Sequence, residues 1–461
     1  MGTIVLIVTV GLLVTNIIYE VKNKEAIKIV SPSIIFFSLW TFILFLSVLN
    51  LYGLYKPSDE AYLLILLMNI FYFLGNVIYE LIKKYKEEKL KEQNKINSET
   101  KNTKFQQKNK DNTMSTQPKF WNYSFIIILA LSIIDIILLL IDCYIVIKNY
   151  NDGVPMWKIR RWRMEAFATA DNPMLNRRSL LEESFRSIII APFEMILHPI
   201  VAYYFFNKKD KKRYILLAIS ITILVLSSIA GGGGRLGYIY YFGCYLLSYI
   251  CMMKNNKKIP EQTKKKYKIM LTVLLILGVA IVIGFTMIRT DMSFLQQVYK
   301  YFALPPTLLS VWLPKINELG HTYGLLTFFG VHSYFFRFLD VVHLNWLIPS
   351  IYNDTYNYLL MAEDFVQSGF GVANAFVTPI YYFYIDGGCA FVCIASMLFG
   401  FIVSYAYKKI CNNIQIRNFV IYMLIVYGVF VSFMRIQTTI PSYVIAFILV
   451  FLILKNEKEE K

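Results

Sequence analysis

About eleven stretches of this chain are each roughly 17 to 25 residues long and mostly apolar, a length suited to crossing a bilayer as helices. Only a helix satisfies its own backbone hydrogen bonds there. The stretches are 3–19, 31–53, 61–82, 121–147, 188–206, 214–230, 236–253, 269–288, 388–407, 418–434 and 441–454. With 57% hydrophobic residues over 461 positions, the composition is that of a membrane protein. The expected fold is an all-α polytopic integral membrane protein with about eleven transmembrane helices, within a range of 10 to 13.

The charges between these stretches set an orientation, because cytoplasmic loops retain lysine and arginine. Lysines fill 20–30, 83–119, 208–213, 254–268, 408–417 and the tail after Lys455. An eleven-span count puts all six on one side, with the N-terminus outside and the C-terminus in the cytoplasm. The formal charge of +17 is then chiefly topogenic, and nucleic-acid binding is a poor account of it. The polar run 83–119 reads as a mobile cytoplasmic linker between N-terminal helices (1–82) and a membrane core (120–461). The six cysteines lie in or beside spans or in the cytoplasm, so no disulfide framework is expected, and no metal-ligand spacing occurs.

Arginine is distributed differently from lysine. Of 47 basic residues 12 are arginine, and ten of these fall on the expected outer side: Arg160, Arg161, Arg163, Arg177, Arg178, Arg186, Arg235, Arg289, Arg337 and Arg435. Local ion pairs with Glu165, Glu182 and Glu183 account for several in the 148–187 loop. They do not account for the choice of guanidinium, which grips phosphate bidentately and stays charged when partly desolvated. An anionic substrate at the outer membrane surface accounts for that choice.

Residues 230–238, "AGGGGRLGY", place four glycines and Arg235 between two spans. Gly233 and Gly234 allow close approach to the backbone, and the following helix N-terminus favours an anion. A purely steric tight turn is the competing reading. The second long outer segment, 289–387, holds apolar pieces broken by Pro305, Pro306 and Pro314 or studded with His332, Arg337, Asp340 and His343. These are expected to be re-entrant or interfacial helices walling a cavity at the outer leaflet, with a hidden pair of spans as the alternative.

The order of an arginine-rich loop, "SSIAGGGGRLGYIYY", "FTMIRTDMSF", "YKYFALPPTLLSVWLP", "YGLLTFFGVHSYFF" and "NAFVTPIYYFYIDGGCAFVCIASMLFGFIVSYAYKK" resembles the Wzy-type oligosaccharide repeat-unit polymerases of bacterial O-antigen and capsule synthesis. The resemblance covers the chain from about residue 120 onward. It implies a GT-C-like, metal-independent membrane glycosyltransferase without cofactor, in the bacterial cytoplasmic membrane. The implied substrates are undecaprenyl-diphosphate-linked oligosaccharides, as donor and as acceptor. A repeat-unit flippase and a chain-length regulator are the implied partners. The leaving diphosphate gains charge in the transition state, so cations preorganised around it lower the barrier.

On this reading Arg235 and Arg289 are the expected catalytic diphosphate ligands, with Arg160, Arg161, Arg163, Gly233, Gly234, Arg337 and Arg435 as substrate contacts. For Arg337 and Arg435, local pairing or snorkelling to headgroups is the favoured reading. Candidates for a general base are His321, His332, Asp340, Glu363, Asp364 and Asp386, with His332 singled out because it lies in an apolar piece.

Two alternatives stand beside this reading. An O-antigen ligase uses the same donor, but in "HSYFFRFLDVVHL" His343 stands where such enzymes place a glycine. A flippase or proton-coupled transporter is suggested by Asp135, Asp142, Glu194 and His198 within spans. Against it, no repeated half is visible.

Overall fold

The computed structural model describes residues 1–22, 30–99, 119–155, 158–159, 179–207, 210–231, 236–255, 260–289, 293–369, 371–374 and 376–454. The chain is a helical multi-pass membrane protein. Its helices are α1 (Gly2–Lys22), α2 (Pro32–Leu49), α3 (Asp59–Glu99), α4 (Lys119–Asn151), α5 (Leu180–Phe185), α6 (Ala191–Asn207), α7 (Lys212–Ala230) and α8 (Leu236–Asn255). They continue with α9 (Glu261–Arg289), α10 (Phe294–Ile316), α11 (Phe329–Val341), α12 (Ser350–Met361), α13 (Thr378–Asn412), α14 (Ile416–Phe430) and α15 (Pro441–Ile453). A two-stranded hairpin, β1 (Val366–Gln367) and β2 (Val372–Ala373), precedes α13.

Among the described residues nine helices are long and apolar enough to cross a membrane. The two remaining expected segments are occupied by α9 and by α15, whose 13 residues make it a shorter apolar helix. Pro441 opens α15, and the irregular stretch before it takes up the chain that a longer helix would have used.

Two apolar cores divide the bundle. One gathers α4, α6, α7, α8, α14 and α15; the other gathers α2, α3, α10 and most of α13. The backbones of α3 and α13 meet at Gly75 and Gly400, where a Cβ on either residue would lie 2.0 Å from a carbonyl oxygen of the opposite helix. Helices in lipid gain little from burying apolar surface, so close contact between small residues is what holds such a pair. Ser404 donates to Asn76 at 2.8 Å further along the same crossing, and Lys408 pairs with Glu80 at 2.9 Å.

The polar contacts sort the links into two ends. At one end Tyr407 donates to Glu20, Tyr422 to the Val30 carbonyl, Tyr203 to the Ile414 carbonyl and Ser124 to the Ile453 carbonyl. These are the lysine-bearing links. At the other end the Leu51 amide meets the Tyr299 hydroxyl, Thr307 meets the Tyr55 carbonyl, and Tyr334 meets the Ser187 carbonyl.

One boundary differs from expectation. The segment 83–119 was expected to be a linker throughout, but α3 runs on to Glu99. Its lysine–glutamate run is suited to a helix, with Lys83–Glu87 and Lys84–Glu88 pairs four residues apart. The span expected to open at 388 does so: a helical segment from Thr378 is broken at Gly387–Gly388, where Gly388 has φ 63°, and a separate helix follows the break to Asn412. Only glycine adopts that conformation without strain.

Candidate functional site

The end of the bundle opposite the lysine-rich links carries a cap built from 289–387, which itself holds Lys300 and Lys315. Its first helix, α10, starts on a capping box in which Ser293 and Gln296 satisfy one another's backbone amides. Three prolines sit inside α10, which nevertheless lies largely buried against α2, α3 and α13. At Thr307, just after the Pro305–Pro306 pair, the side chain donates to the Tyr55 carbonyl at 2.9 Å and ties the helix to the α2–α3 link.

Asp386 organises the turn between α10 and α11. The carboxylate is buried and accepts from the Thr322 hydroxyl, the Leu326 amide at 3.1 Å and the Thr327 amide at 2.8 Å. Its main-chain carbonyl accepts the Tyr323 amide, and the neighbouring Ile385 carbonyl lies 3.1 Å from His321 Nδ1. The break at Gly387–Gly388 turns the backbone here, so Asp386 clamps a second segment instead of capping the helix that follows it. As a candidate base it is already saturated with donors.

His332 projects from α11 into a cage of Phe329, Phe336 and Tyr352, with ring centroids 5.3 to 5.9 Å away. Nε2 lies 2.8 Å from the Leu325 carbonyl, which requires its proton on that nitrogen. Nδ1 is buried with no hydrogen-bond partner among the described residues. Burial holds this imidazole below its ordinary pKa, against the opposing effects of the Leu325 carbonyl and the Asp386 charge. The residue therefore keeps a free lone pair, as a base must, but the cage closes it from any hydroxyl in this conformation.

Arg435 and Glu363 form an ion pair at 2.6 Å, which accounts for both and joins the α14–α15 link to the end of α12. Arg337 is different. It is exposed, makes no hydrogen bond or ion pair among the described residues, and acts electrostatically on the hydroxyls of Tyr334, Tyr352 and Tyr356. Arg186 is engaged locally, bridging Asp142 at 3.0 Å and Glu182 at 2.8 Å. It thereby fixes the π-helical turn Arg186–Ile190 against α4.

Arg289 is the last residue of α9. Arg160, Arg161, Arg163, Gly233, Gly234 and Arg235 lie outside the described residues. What brackets the glycine turn is described: α7 ends on Gly231 and α8 begins at Leu236. Leu226, near the end of α7, accepts from Cys143 of α4, one residue from the Asp142 that holds Arg186. Gly231 and Leu236 therefore lie at the same end as the Tyr334–Ser187 contact. Of the ionisable residues inside spans, Asp142 is paired as above, His198 Nδ1 lies 2.9 Å from the Ser220 hydroxyl, and Glu194 accepts from Ser227 at 3.5 Å.

Sequence reasoning missed the Asp386 clamp and the Glu363–Arg435 pair. The signal for the first was "DGG" inside an apolar run, which marks a break within a helix as well as a start. The second joins residues 72 positions apart and leaves no local pattern.

Compared with known proteins, the chain matches no family model, no curated protein and no solved structure.

Proposed function

We propose that this chain is a metal-independent, GT-C-like membrane glycosyltransferase that polymerises undecaprenyl-diphosphate-linked oligosaccharide repeat units at the outer face of the bacterial cytoplasmic membrane. The growing chain passes from its lipid diphosphate to a new lipid-linked unit. An acceptor hydroxyl attacks the anomeric carbon, the bond to the diphosphate breaks, and the hydroxyl proton leaves with a base or the departing phosphate.

The observation that supports this reading is a separation of cations. Lysine-rich links gather at one end of the bundle, while the other end, with only a few lysines such as Lys300 and Lys315, carries the exposed Arg337, without an ion pair among the described residues, the Arg289 terminus of α9 and the flanks of the glycine–arginine turn. A lipid-anchored diphosphate needs such guanidinium groups at the membrane surface.

Deletion of the gene is expected to leave a single repeat unit on its carrier or core and to remove the glycan ladder on a gel. Complementation with Arg235→Lys should restore the ladder partly and with Arg289→Ala hardly at all, each at normal membrane abundance. An intact ladder in the deletion strain rules the proposal out.

Orientation is tested separately. With the six native cysteines replaced, a cysteine at Gln93 should resist an impermeant thiol reagent in intact cells, and one at Tyr323 should react. The opposite pattern inverts the molecule and removes the outer-face reading.

The break in α13 beside buried Asp386 favours a second reading, a flippase for the same lipid-linked units, since transporters place discontinuous helices at their substrate sites. Purified protein in vesicles distinguishes them: elongation of added repeat units marks the polymerase, and movement of unelongated units across the bilayer marks the flippase.

A further inference from the structure

A cavity of ≈ 490 Å³ lies at the lysine-bearing end, between α1, α2, α3 and α13, far from the cap. It falls within the usual size range of small-ligand sites. Every wall is drawn from the point at which an apolar helix meets its polar end: Glu20 in the last turn of α1, Ser31 and Ser33 at the start of α2, Glu80 to Glu87 on α3, and Ser404 to Lys408 on α13. The cavity is thus at the level of the lipid headgroups, whichever side of the membrane this end occupies.

Its lining carries both signs of charge in equal number, with Glu20, Glu80 and Glu87 against Lys83, Lys84 and Lys408. Lys408 is buried and held 2.9 Å from Glu80, and Glu20 accepts the Tyr407 hydroxyl at 3.4 Å. Asn76 is 7% exposed; its Oδ1 accepts from Ser404, whereas its Nδ2 is a buried donor with no partner among the described residues. A buried amide donor without an acceptor is costly, and an oxygen-rich ligand relieves that cost. Tyr19, Val77 and Leu81 belong both to the cavity wall and to the outward surface of the bundle, Leu81 being 61% exposed. The cavity therefore opens sideways onto the acyl-chain region as well as toward water.

The geometry points to a regulatory or structural binding site for a zwitterionic phospholipid whose headgroup carries a primary ammonium. The ammonium is received by the Glu20 and Glu80 carboxylates and the phosphate by Lys83 and Lys84, with Asn76 Nδ2 donating to a phosphate or ester oxygen. The acyl chains leave past Val77 and Leu81. Balanced charge disfavours an anionic headgroup, which the glutamates repel. A quaternary ammonium has no N–H to give the carboxylates. The sideways opening selects a lipid over a water-soluble zwitterion.

The test uses the full chain purified in detergent and stripped of lipid. Phosphatidylethanolamine, phosphatidylcholine, phosphatidylglycerol and soluble glycerophosphoethanolamine are titrated separately against the thermal midpoint. Competition for retained lipid is read by native mass spectrometry. Phosphatidylethanolamine is expected to bind about tenfold more tightly than either other lipid and to raise the midpoint most. Glu20→Gln should remove that preference without changing the lipid-free midpoint, and Lys83→Gln with Lys84→Gln should weaken binding of all three lipids. Equal binding of the three lipids, a preference for phosphatidylglycerol, or an unchanged preference in Glu20→Gln overturns the proposal. A full shift from glycerophosphoethanolamine alone overturns the lipid assignment. Should Glu20→Gln fail to fold, the wild-type competition decides the matter alone.

Discussion

Gly400→Ala is expected to prevent recovery of a monodisperse folded protein from the membrane, with Gly75→Ala nearly as damaging. A Cβ at Gly400 would stand 2.0 Å from the Tyr72 carbonyl oxygen and 2.9 Å from its carbon; one at Gly75 would stand 2.0 Å from the Met397 carbonyl oxygen. Both obstacles are backbone, so no side-chain rotation relieves them, and α3 and α13 have to part. Overpacking in a core commonly costs about 1–3 kcal/mol, and separating two helices belongs at or above the top of that range. Parting them also pulls Ser404 from Asn76 and loosens the rings of Tyr72 and Phe399, now 5.5 Å apart. Gly243→Ala is the control: among the described residues nothing lies within 4 Å of its added Cβ, and it sits inside α8. It should be neutral or stabilising by up to about 1 kcal/mol. Size-exclusion profiles and thermal midpoints in detergent compare the three, and a wild-type midpoint for Gly400→Ala would falsify the close crossing.

Asp386→Ala is the second large expected effect, because three donors converge on one buried carboxylate. Each buried donor left without a partner costs about 1–3 kcal/mol. Asp386→Asn keeps one acceptor oxygen but turns an NH2 toward groups that are themselves donors, so it should fall between wild type and alanine. The turn before α11 should open to chymotrypsin at Tyr323, which already projects into solvent, and the thermal midpoint should fall in the order wild type, asparagine, alanine. Were Asp386 a catalytic base instead, both variants would lose polymerisation while cleavage at Tyr323 and the midpoint stayed unchanged. That outcome would return the residue to the chemistry.

The apolar runs were legible because length and hydropathy act locally, and each of the eleven expected segments is helical here. The end of α3 was not, since the run from Lys83 to Glu99 is polar enough to pass for a linker and declares itself only through pairs on one helix face. At α13, "DGG" marked the break after which the long helix runs, but not the helical segment from Thr378 that precedes it. In the candidate site, the local ion-pair reading of the 148–187 loop holds for Arg186, whose partner Glu182 is four residues away. Its other partner, Asp142, and the Arg435–Glu363 pair depend on which helices are neighbours. Hydropathy says that a segment enters the membrane but not which segment it stands beside. The headgroup-level cavity is invisible in the sequence for the same reason, as its walls come from residues nearly 400 positions apart.

The crossing of α3 with α13 also imposes a timetable on biosynthesis. The ribosome completes α3 roughly 300 residues before α13, and at about 5–20 residues per second that interval is roughly 15–60 s. Throughout it, Glu80 and Asn76 lie in or beside the bilayer without Lys408 and Ser404, and the groove at Gly75 has no helix to fill it. The first three helices are thus made as an unfinished half, and the membrane-insertion machinery has to shelter that half until the C-terminal helices arrive. Chains that terminate before Thr378 present the same unfinished surface permanently, which makes them substrates for membrane quality-control proteases.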